Sequence, residues 1–227
     1  MVEAGSQARG RPGPACGAPL DRIAPTGQAD RTPGLGARKG RFGLTAAHYD
    51  RGAMTMMMGG GMAHHASPAR ADIPLVDITV AGDPVAMALP TALVGAVASP
   101  DGPVARRRTL ELGETMVPGG ARFLIDGKEF SPDRVGVHTT LGTIEEWTIR
   151  NGTDMDHPFH LHVHPFQIVA IDGATVTPAG WEDTVNIRKG QSVTLRIPFR
   201  DFAGPTVFHC HILEHEDLGM MGIVSVG

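Results

Sequence analysis

The histidine and cysteine side chains of this 227-residue chain are concentrated in two short segments. These segments read His157-Pro-Phe-His160-Leu-His162-Val-His164 and His209-Cys210-His211-Ile-Leu-Glu-His215-Glu-Asp-Leu-Gly-Met220. A single histidine near a strand is usually a satisfied polar residue, but two clusters with these spacings are hard to explain in that way. Imidazole and thiolate groups gathered so densely indicate a metal site.

Side chains alternate between the two faces of an extended strand, and this alternation divides the candidate ligands into two groups. If the second cluster is extended, His209 and His211 project to one side and Cys210 projects to the other. His160 and His162 share a face for the same reason. The sequence therefore predicts two metal sites placed back to back, one built on Cys210 and the other on paired histidines.

The ligands available to the Cys210 site are those of a blue-copper centre. Cys210, His215 and Met220 follow one another at intervals of five, and His157 can supply a second imidazole. Two imidazoles, one thiolate and a weak axial thioether make up the blue-copper electron-transfer set. Structural zinc is the alternative, but zinc normally takes four strong ligands and a thioether is a poor one.

The histidine site suits a copper ion that meets dioxygen, because neutral imidazoles hold copper and leave coordination positions open. Cys210 is bonded directly to His209 and His211 through the backbone. This connection offers electrons a short covalent path from one site to the other.

Short segments with strand character fill the chain after about residue 107, and turn signals separate them. They span residues 109–112, 123–126, 143–150, 166–171, 192–197, 206–211 and 222–226. In one of them, Val193, Leu195 and Ile197 alternate with polar residues, which is typical of a half-buried strand. Many short strands without a long helical period predict an all-β fold, a Greek-key β-sandwich or barrel.

The chain before this region falls into two segments. Residues 1–45 are rich in Gly, Pro, Arg and Ala without a period, and they are predicted to be disordered or irregular. Residues 46–105 combine a Met- and Gly-rich linker with short β-like runs such as 75–80. The run from Met54 to Met62, followed by His64 and His65, has two interpretations: a flexible linker, or a set of soft thioether ligands for Cu(I).

Composition argues against several classes of partner. The net charge is only −4 and no long basic run is present, so neither nucleic acid nor an anionic membrane surface is expected. No apolar stretch is long enough to span a membrane, and the first residues lack the pattern of an export signal. The two cysteines, Cys16 and Cys210, do not suggest a disulfide framework.

The two clusters resemble the C-terminal motifs of the multicopper oxidase family, which includes laccases and bacterial cuprous oxidases. The motifs His-Pro-x-His-x-His and His-Cys-His-x-x-x-His-x-x-x-Gly-Met both stand here without a gap, and the segments 123–128 and 181–185 are also similar to members of the family. The resemblance implies that residues 106–227 form a cupredoxin-like copper-binding domain, and that residues 46–105 include a remnant of a preceding cupredoxin domain.

Carried over to this sequence, the resemblance implies a ligand set for each class of copper. The type 1 copper would take His157, Cys210, His215 and Met220, the type 2 copper His160, and the type 3 pair His162, His209 and His211. His164 and Cys16 receive no role.

The resemblance also implies a reaction. A small reducing substrate, a phenol or a metal ion such as Cu(I), would give single electrons to the type 1 copper through His215 or His157. Electrons would then pass through Cys210 to a trinuclear cluster that reduces O2 to water. Glu216 matches a position where bacterial members often carry a proton-relaying carboxylate, although a solvated surface carboxylate is the alternative.

This sequence departs from the family in one respect. The family takes half of its trinuclear ligands from two His-x-His motifs in an N-terminal cupredoxin domain, whereas the earlier histidines of this chain (His48, His64, His65 and His138) form no such pair. The chain is therefore expected to be a truncated or frame-shifted product that needs a missing N-terminal cupredoxin domain as partner. The alternatives are a one-copper electron-transfer or copper-binding module, or a non-functional fragment. Family members are usually exported, but this sequence does not indicate a location.

Overall fold

The computed structural model describes residues 22–25, 39–52, 71–83 and 97–227. Contacts divide these residues into two units: those up to Asp50 together with 71–83, and Arg51 and Gly52 together with 97–227. No helix in these described ranges is long and apolar enough to cross a membrane. Cys16 and the methionine run lie outside the described residues, so the two interpretations of the run stay predictions.

The first unit is a three-stranded antiparallel sheet. Its strands are β1 (Arg22–Pro25), β2 (Gly40–Ala46) and β3 (Ile73–Val80), in the order β1-β2-β3. β1 and all but the last residue of β2 lie within residues 1–45, for which the sequence predicts no regular structure, and β3 contains the β-like run at 75–80. β2 is seven residues long and pairs with both neighbours, so backbone hydrogen bonds form a strand that composition does not indicate.

The second unit contains eleven strands and one short helix among the described residues. They are β4 (Val104–Val117), β5 (Gly120–Ile125), β6 (Val135–Thr139), β7 (Thr143–Asn151), β8 (His157–Leu161), β9 (Gln167–Ile171), β10 (Ala174–Thr175), β11 (Thr184–Ile187), β12 (Ser192–Phe199), β13 (Gly204–Cys210), α1 (Leu213–Asp217) and β14 (Met221–Val226).

The strands of the second unit form two sheets. The six-stranded sheet has the order β10-β9-β12-β7-β4-β5, and the five-stranded sheet has the order β11-β8-β13-β14-β6. Most pairs are antiparallel, but β4 pairs with β7 and β14 pairs with β6 in parallel. In both strand orders, many neighbouring strands are not consecutive in the sequence, as in a Greek-key sandwich.

The core of the second unit lies between its two sheets. Val193, Leu195 and Ile197 of β12 are at most 2 % exposed, which confirms the predicted alternation along this strand. The indole of Trp147 on β7 meets the ring of Phe208 on β13 edge-on, with 5.7 Å between ring centroids. This contact joins opposite sheets and confirms the predicted all-β sandwich.

A buried cluster of charged and polar side chains connects β4 and β7 of the six-stranded sheet with β6 of the five-stranded sheet. Glu145 is 3 % exposed and accepts hydrogen bonds from Arg108 Nε at 2.6 Å, Trp147 Nε1 at 2.8 Å and Thr139 Oγ1 at 2.9 Å. Burial opposes the charge, but these donors and the guanidinium hold the pKa of Glu145 below its usual range. The cluster ties β4, β6 and β7 together.

Candidate metal centre

Two groups of metal-ligating side chains meet at the end of β13. One group contains His157, Cys210 and His215, and the other contains His160, His209 and His211. Within each group the potential ligand atoms all lie within 4.8 Å of one another.

Strand pairing brings the first group together. β8 and β13 pair antiparallel with Phe159 opposite Cys210, so His157, at the start of β8, lies beside the end of β13. The chain then turns through α1, which carries His215, and returns along β14. The Cys210 N–H donates to the Met220 carbonyl at 3.1 Å, which closes the loop.

The side chains of the first group face one another. Cys210 Sγ is 3.6 Å from His157 Nδ1 and 3.7 Å from His215 Nδ1, and the two Nδ1 atoms are 3.0 Å apart. The Ile212 N–H also donates to the sulfur at 3.5 Å. His157 and Met220 are fully buried, while Cys210 and His215 are 2 % and 3 % exposed. This is a dry site with one sulfur and two imidazole nitrogens already converging.

Burial controls the protonation of this group. It raises the pKa of the Cys210 thiol to about 12. Burial, together with the neighbouring His215, lowers the pKa of His157 to about 3. Burial and the positive charge of Arg51 lower the pKa of His215 to about 4. Without a metal, the site therefore holds a neutral thiol and two neutral imidazoles, and metal binding must displace the thiol proton.

A hydroxyl fixes the orientation of His157. Its Nε2 lies 2.7 Å from Thr153 Oγ1, which also contacts Asn151 Oδ1 at 2.8 Å. Because Nε2 faces this polar network, Nδ1 is the nitrogen turned towards the sulfur. A ligand imidazole held through its other nitrogen is the usual arrangement at metal sites. Thr153 was missed by sequence reasoning, because no motif marks a threonine that lies four residues before His157.

The second group is built on the opposite face of the same strands. His160 and His209 are directly paired between β8 and β13, and the rings of His160 and His211 lie 4.7 Å apart. His162 joins them, with its Nε2 2.9 Å from His209 Nε2. Cys210 projects the other way, as the predicted alternation requires. The structure thus brings all four predicted histidines to one side of Cys210.

β8 ends beside this second group, where the backbone turns sharply at Val163. The His164 N–H donates to the His162 carbonyl at 2.8 Å, and Val163 between them has φ +70°. A β-branched residue rarely adopts this conformation, and such strain tends to collect at functional sites. The His164 side chain turns inward instead, where it is 3 % exposed and packs 4.9 Å from the Phe199 ring. That His164 is not a metal ligand stays a prediction.

The segment 181–185 supports the second group. Asp183 O and Thr184 Oγ1 each lie 2.9 Å from His160 Nδ1, which leaves Nε2 free to face the cluster. Burial and the adjacent His162 lower the pKa of His160, and burial and His209 lower that of His162. The lowered pKa values favour the neutral form of both imidazoles, which is the form that binds a metal.

Glu216 lies against this second group. Its Oε2 is 3.2 Å from His209 Nδ1, which is also 3.0 Å from the Cys210 carbonyl. The Glu216 side chain is 26 % exposed, so the carboxylate connects a buried imidazole with solvent. Of the remaining described histidines, His48 belongs to the first unit and His138 is exposed on β6.

The donor chemistry of the first group fits copper. A buried cysteine sulfur with two imidazoles suits copper, and Met220, which is buried at the end of the same loop, stays the predicted source of a soft thioether. A structural zinc site would need four strong ligands, and this group supplies three. The fold and the site together define a copper-binding domain of the cupredoxin class.

Comparisons with known proteins lead to the same class. A family model described as multicopper oxidase matches residues 103–227. The chain belongs to the multicopper oxidase family, whose members are copper-dependent oxidoreductases. Copper is the cofactor that this membership implies.

This chain matches only part of the length of its individual relatives. The chain is 38% identical over 108 residues to the multicopper oxidase mco of Staphylococcus aureus, covering 45% of this chain and 24% of that protein. It is 33% identical over 134 residues to a laccase of Bacillus subtilis, covering 50% and 26%. The chain therefore spans about a quarter of the length of these relatives.

A solved structure confirms the fold over a longer stretch. A multicopper oxidase from Campylobacter jejuni, described as a metallo-oxidase, superposes with a TM-score of 0.64 at 29% identity, covering 83% of this chain and 41% of that one. The cupredoxin-like all-β fold expected from the sequence is confirmed by this likeness.

Proposed function

We propose that this chain supplies the type 1 copper site, and part of the trinuclear site, of a multicopper oxidase. The observation that carries this proposal is the position of Cys210 between the two groups. Its sulfur belongs to one group, while the residues bonded to it on either side, His209 and His211, belong to the other. A single cysteine thus connects two candidate metal sites through a few covalent bonds.

In this proposal His157, Cys210, His215 and Met220 hold a type 1 copper. Copper, when bound there, would supply one-electron redox chemistry. The protein contributes a site in which the Cys210 sulfur and the two imidazole nitrogens already converge, and whose burial keeps water from competing for the metal. Because the ligands are preorganised, little rearrangement is needed when the charge of the site changes.

The second group would provide ligands for the O2-reducing cluster. His160 would serve a type 2 copper, and His162, His209 and His211 would serve a type 3 pair. The electron donor is a small reducing substrate, a phenol or a metal ion such as Cu(I). The path runs from the first group through the Cys210 backbone to His209 and His211.

Glu216 is the proposed proton relay of this second group. Its carboxylate is within hydrogen-bonding distance of His209 and remains partly open to solvent. A carboxylate in this position can take up protons from water and can also fix the orientation of the imidazole. Glu216→Gln should retain metal ligands while slowing any step that consumes protons.

The number of imidazoles available for the trinuclear site requires a partner domain. Four imidazoles cannot saturate three copper ions, and this sequence contains no His-x-His pair outside the two clusters. We propose that an N-terminal cupredoxin domain with two such motifs completes the trinuclear site. Residues 106–227 are the copper-binding domain in this scheme, and residues 46–105 belong to a preceding domain and its linker.

The same count favours a second candidate function. Since the Cys210 group is complete in this chain while the histidine group is not, the chain alone would act as a one-copper electron-transfer module.

Copper loading tests both candidates. The full chain, reconstituted with Cu(II), should turn blue and should be bleached by one electron per blue centre when hydroquinone is added without oxygen. A colourless copper-loaded chain would overturn the proposed type 1 site. Oxygen uptake that starts only after a separate N-terminal cupredoxin domain is added would favour the oxidase over the one-copper module.

A further inference from the structure

We infer that Phe123 is a positioning residue that fixes the orientation of the His215 imidazole. This inference rests on the proposed function, in which His215 is a ligand of the Cys210 copper site. Phe123 lies on β5, outside both histidine clusters. It opens the segment 123–128, which is similar to members of the family, but that similarity assigns Phe123 no role at the site.

The Phe123 ring is packed directly on both imidazoles of the first group. It stacks on His215 with a centroid distance of 3.9 Å and an interplanar angle of 18°. It meets His157 edge-on, with 6.3 Å between centroids and an angle of 69°. Phe123 is 4 % exposed, so one face of the His215 ring is covered by a residue that is itself fixed in the core.

The backbone of β5 also holds the loop that carries His215. The Phe123 N–H donates to the Leu218 carbonyl at 3.0 Å, and the Phe130 N–H donates to the Gly219 carbonyl at 3.0 Å. β5 is in turn paired with β4, with Phe123 opposite Glu114. The loop is therefore attached to the six-stranded sheet at the same residue whose ring stacks on His215.

His215 depends on this packing more than His157 does. Thr153 holds the Nε2 of His157, whereas the described part of the chain gives His215 Nε2 no hydrogen-bond partner. α1 is also a single turn of five residues without a side-chain cap, so the helix itself supports the ring weakly. Stacking on Phe123 replaces the hydrogen bond that usually orients a ligand imidazole.

The inference predicts an effect that does not require copper. In the metal-free chain, the ring protons of His215 lie over the Phe123 face and should be shifted upfield in the NMR spectrum by its ring current. Phe123→Leu should move these signals downfield, and Phe123→Tyr, which keeps the ring, should leave them near their original position. Phe199→Leu is the matched control, because Phe199 is also a buried phenylalanine but packs on Trp147 and His164.

A second readout uses the copper-loaded chain. Phe123→Leu should release copper to a chelator about tenfold faster than the unmodified chain, as expected when support of a metal-ligating imidazole is lost. Phe123→Tyr and Phe199→Leu should release copper at the original rate. If Phe123→Leu does not fold, Phe123→Met fills more of the same space and carries the same expectations.

The outcomes separate this inference from the proposed function. Unchanged His215 ring signals in Phe123→Leu, or an equal shift in Phe199→Leu, would overturn the inference even in a chain that turns blue. Unchanged copper release from Phe123→Leu would do so too. Failure of the unmodified chain to bind copper would overturn the proposed function, while the metal-free NMR spectra would still decide whether Phe123 orients His215.

Discussion

Cys210 Sγ lies 3.6 Å from His157 Nδ1, although 53 residues separate them in the chain. The contact arises from the antiparallel pairing of β8 and β13, which aligns the two histidine clusters side by side. A thiol and an imidazole this close in a dry site are prepared to share a metal ion.

Cys210→Ser should abolish the blue colour of the copper-loaded chain, because an alcohol oxygen cannot replace the thiolate in charge transfer to copper. Absorption spectroscopy after Cu(II) reconstitution measures the effect. Cys16→Ser is the matched control, since it removes the other cysteine of the chain and should leave the colour intact. A blue band that survives Cys210→Ser would show that the sulfur is not a ligand.

Met220 is predicted to be a weak axial ligand, and its side chain is fully buried. Met220→Leu should retain copper and raise the reduction potential, while Met220→Gln should lower the potential, because the identity of the axial ligand tunes it. Spectroelectrochemistry of the reconstituted variants measures both shifts. Met116→Leu, at a position that is 41% exposed, is the control.

Loss of copper from either Met220 variant would contradict the axial assignment. It would show instead that Met220 is a primary ligand or that the site cannot pack without it.

The metal-free chain should lose stability as the pH falls below about 6.5. The pKa values of His157 and His215 are lowered to about 3 and about 4 in the folded protein, whereas both would be near 6.5 when unfolded. Between these values the unfolded state binds protons that the folded state does not, so acid favours unfolding. Each histidine contributes a slope of about 1.4 kcal/mol per pH unit across this window, and none above it.

Urea unfolding of the metal-free chain at pH 7.5, 6.0 and 5.0 measures this slope. His215→Asn should remove the part of the slope that His215 contributes and should leave the part that comes from His157. Equal slopes in the unmodified chain and in His215→Asn would contradict the prediction.

Gly219 should not tolerate a side chain. It has φ +113°, and a Cβ at this position would lie 2.8 Å from the Phe123 carbonyl oxygen. Gly204 has φ +115° but nothing within 4 Å of its Cβ position, so Gly204→Ala reports the backbone strain alone. Gly219→Ala should destabilise the chain by about 2 kcal/mol more than Gly204→Ala, measured by urea unfolding. Equal losses of stability in the two variants would mean that β5 and the loop that carries His215 can move apart at no energetic cost.

The chain alone should not reduce dioxygen at a useful rate, even when loaded with copper. His160, His162, His209 and His211 supply four imidazoles, and copper ions held by one or two each would be labile and poorly spaced. An oxygen electrode with a phenolic or Cu(I) reductant measures the rate, with and without an N-terminal cupredoxin domain. Robust turnover by the isolated chain would show that its own residues complete the site, with His48, His64, His65, His138 and His164 as candidates.

Strand positions followed closely from the sequence where alternation was clear. The run at 192–197 lies within β12, and the run at 143–150 lies within β7. β2 was not predicted, because its seven residues include two glycines and no strict alternation. Pairing with neighbours on both sides forms this strand, and such pairing has no local signal.

The sequence by itself determined the metal chemistry. Residue type gave thiolate, imidazole and thioether donors, and alternation along a strand separates Cys210 from His209 and His211 whatever the rest of the fold does. Only the tertiary structure decided which distant groups support these donors. Thr153 holds His157 and Phe123 stacks on His215, and neither contact has a sequence signal because each depends on how strands and loops pack in space. Local spacing sets the direction of a side chain, whereas sheet pairing sets its neighbours.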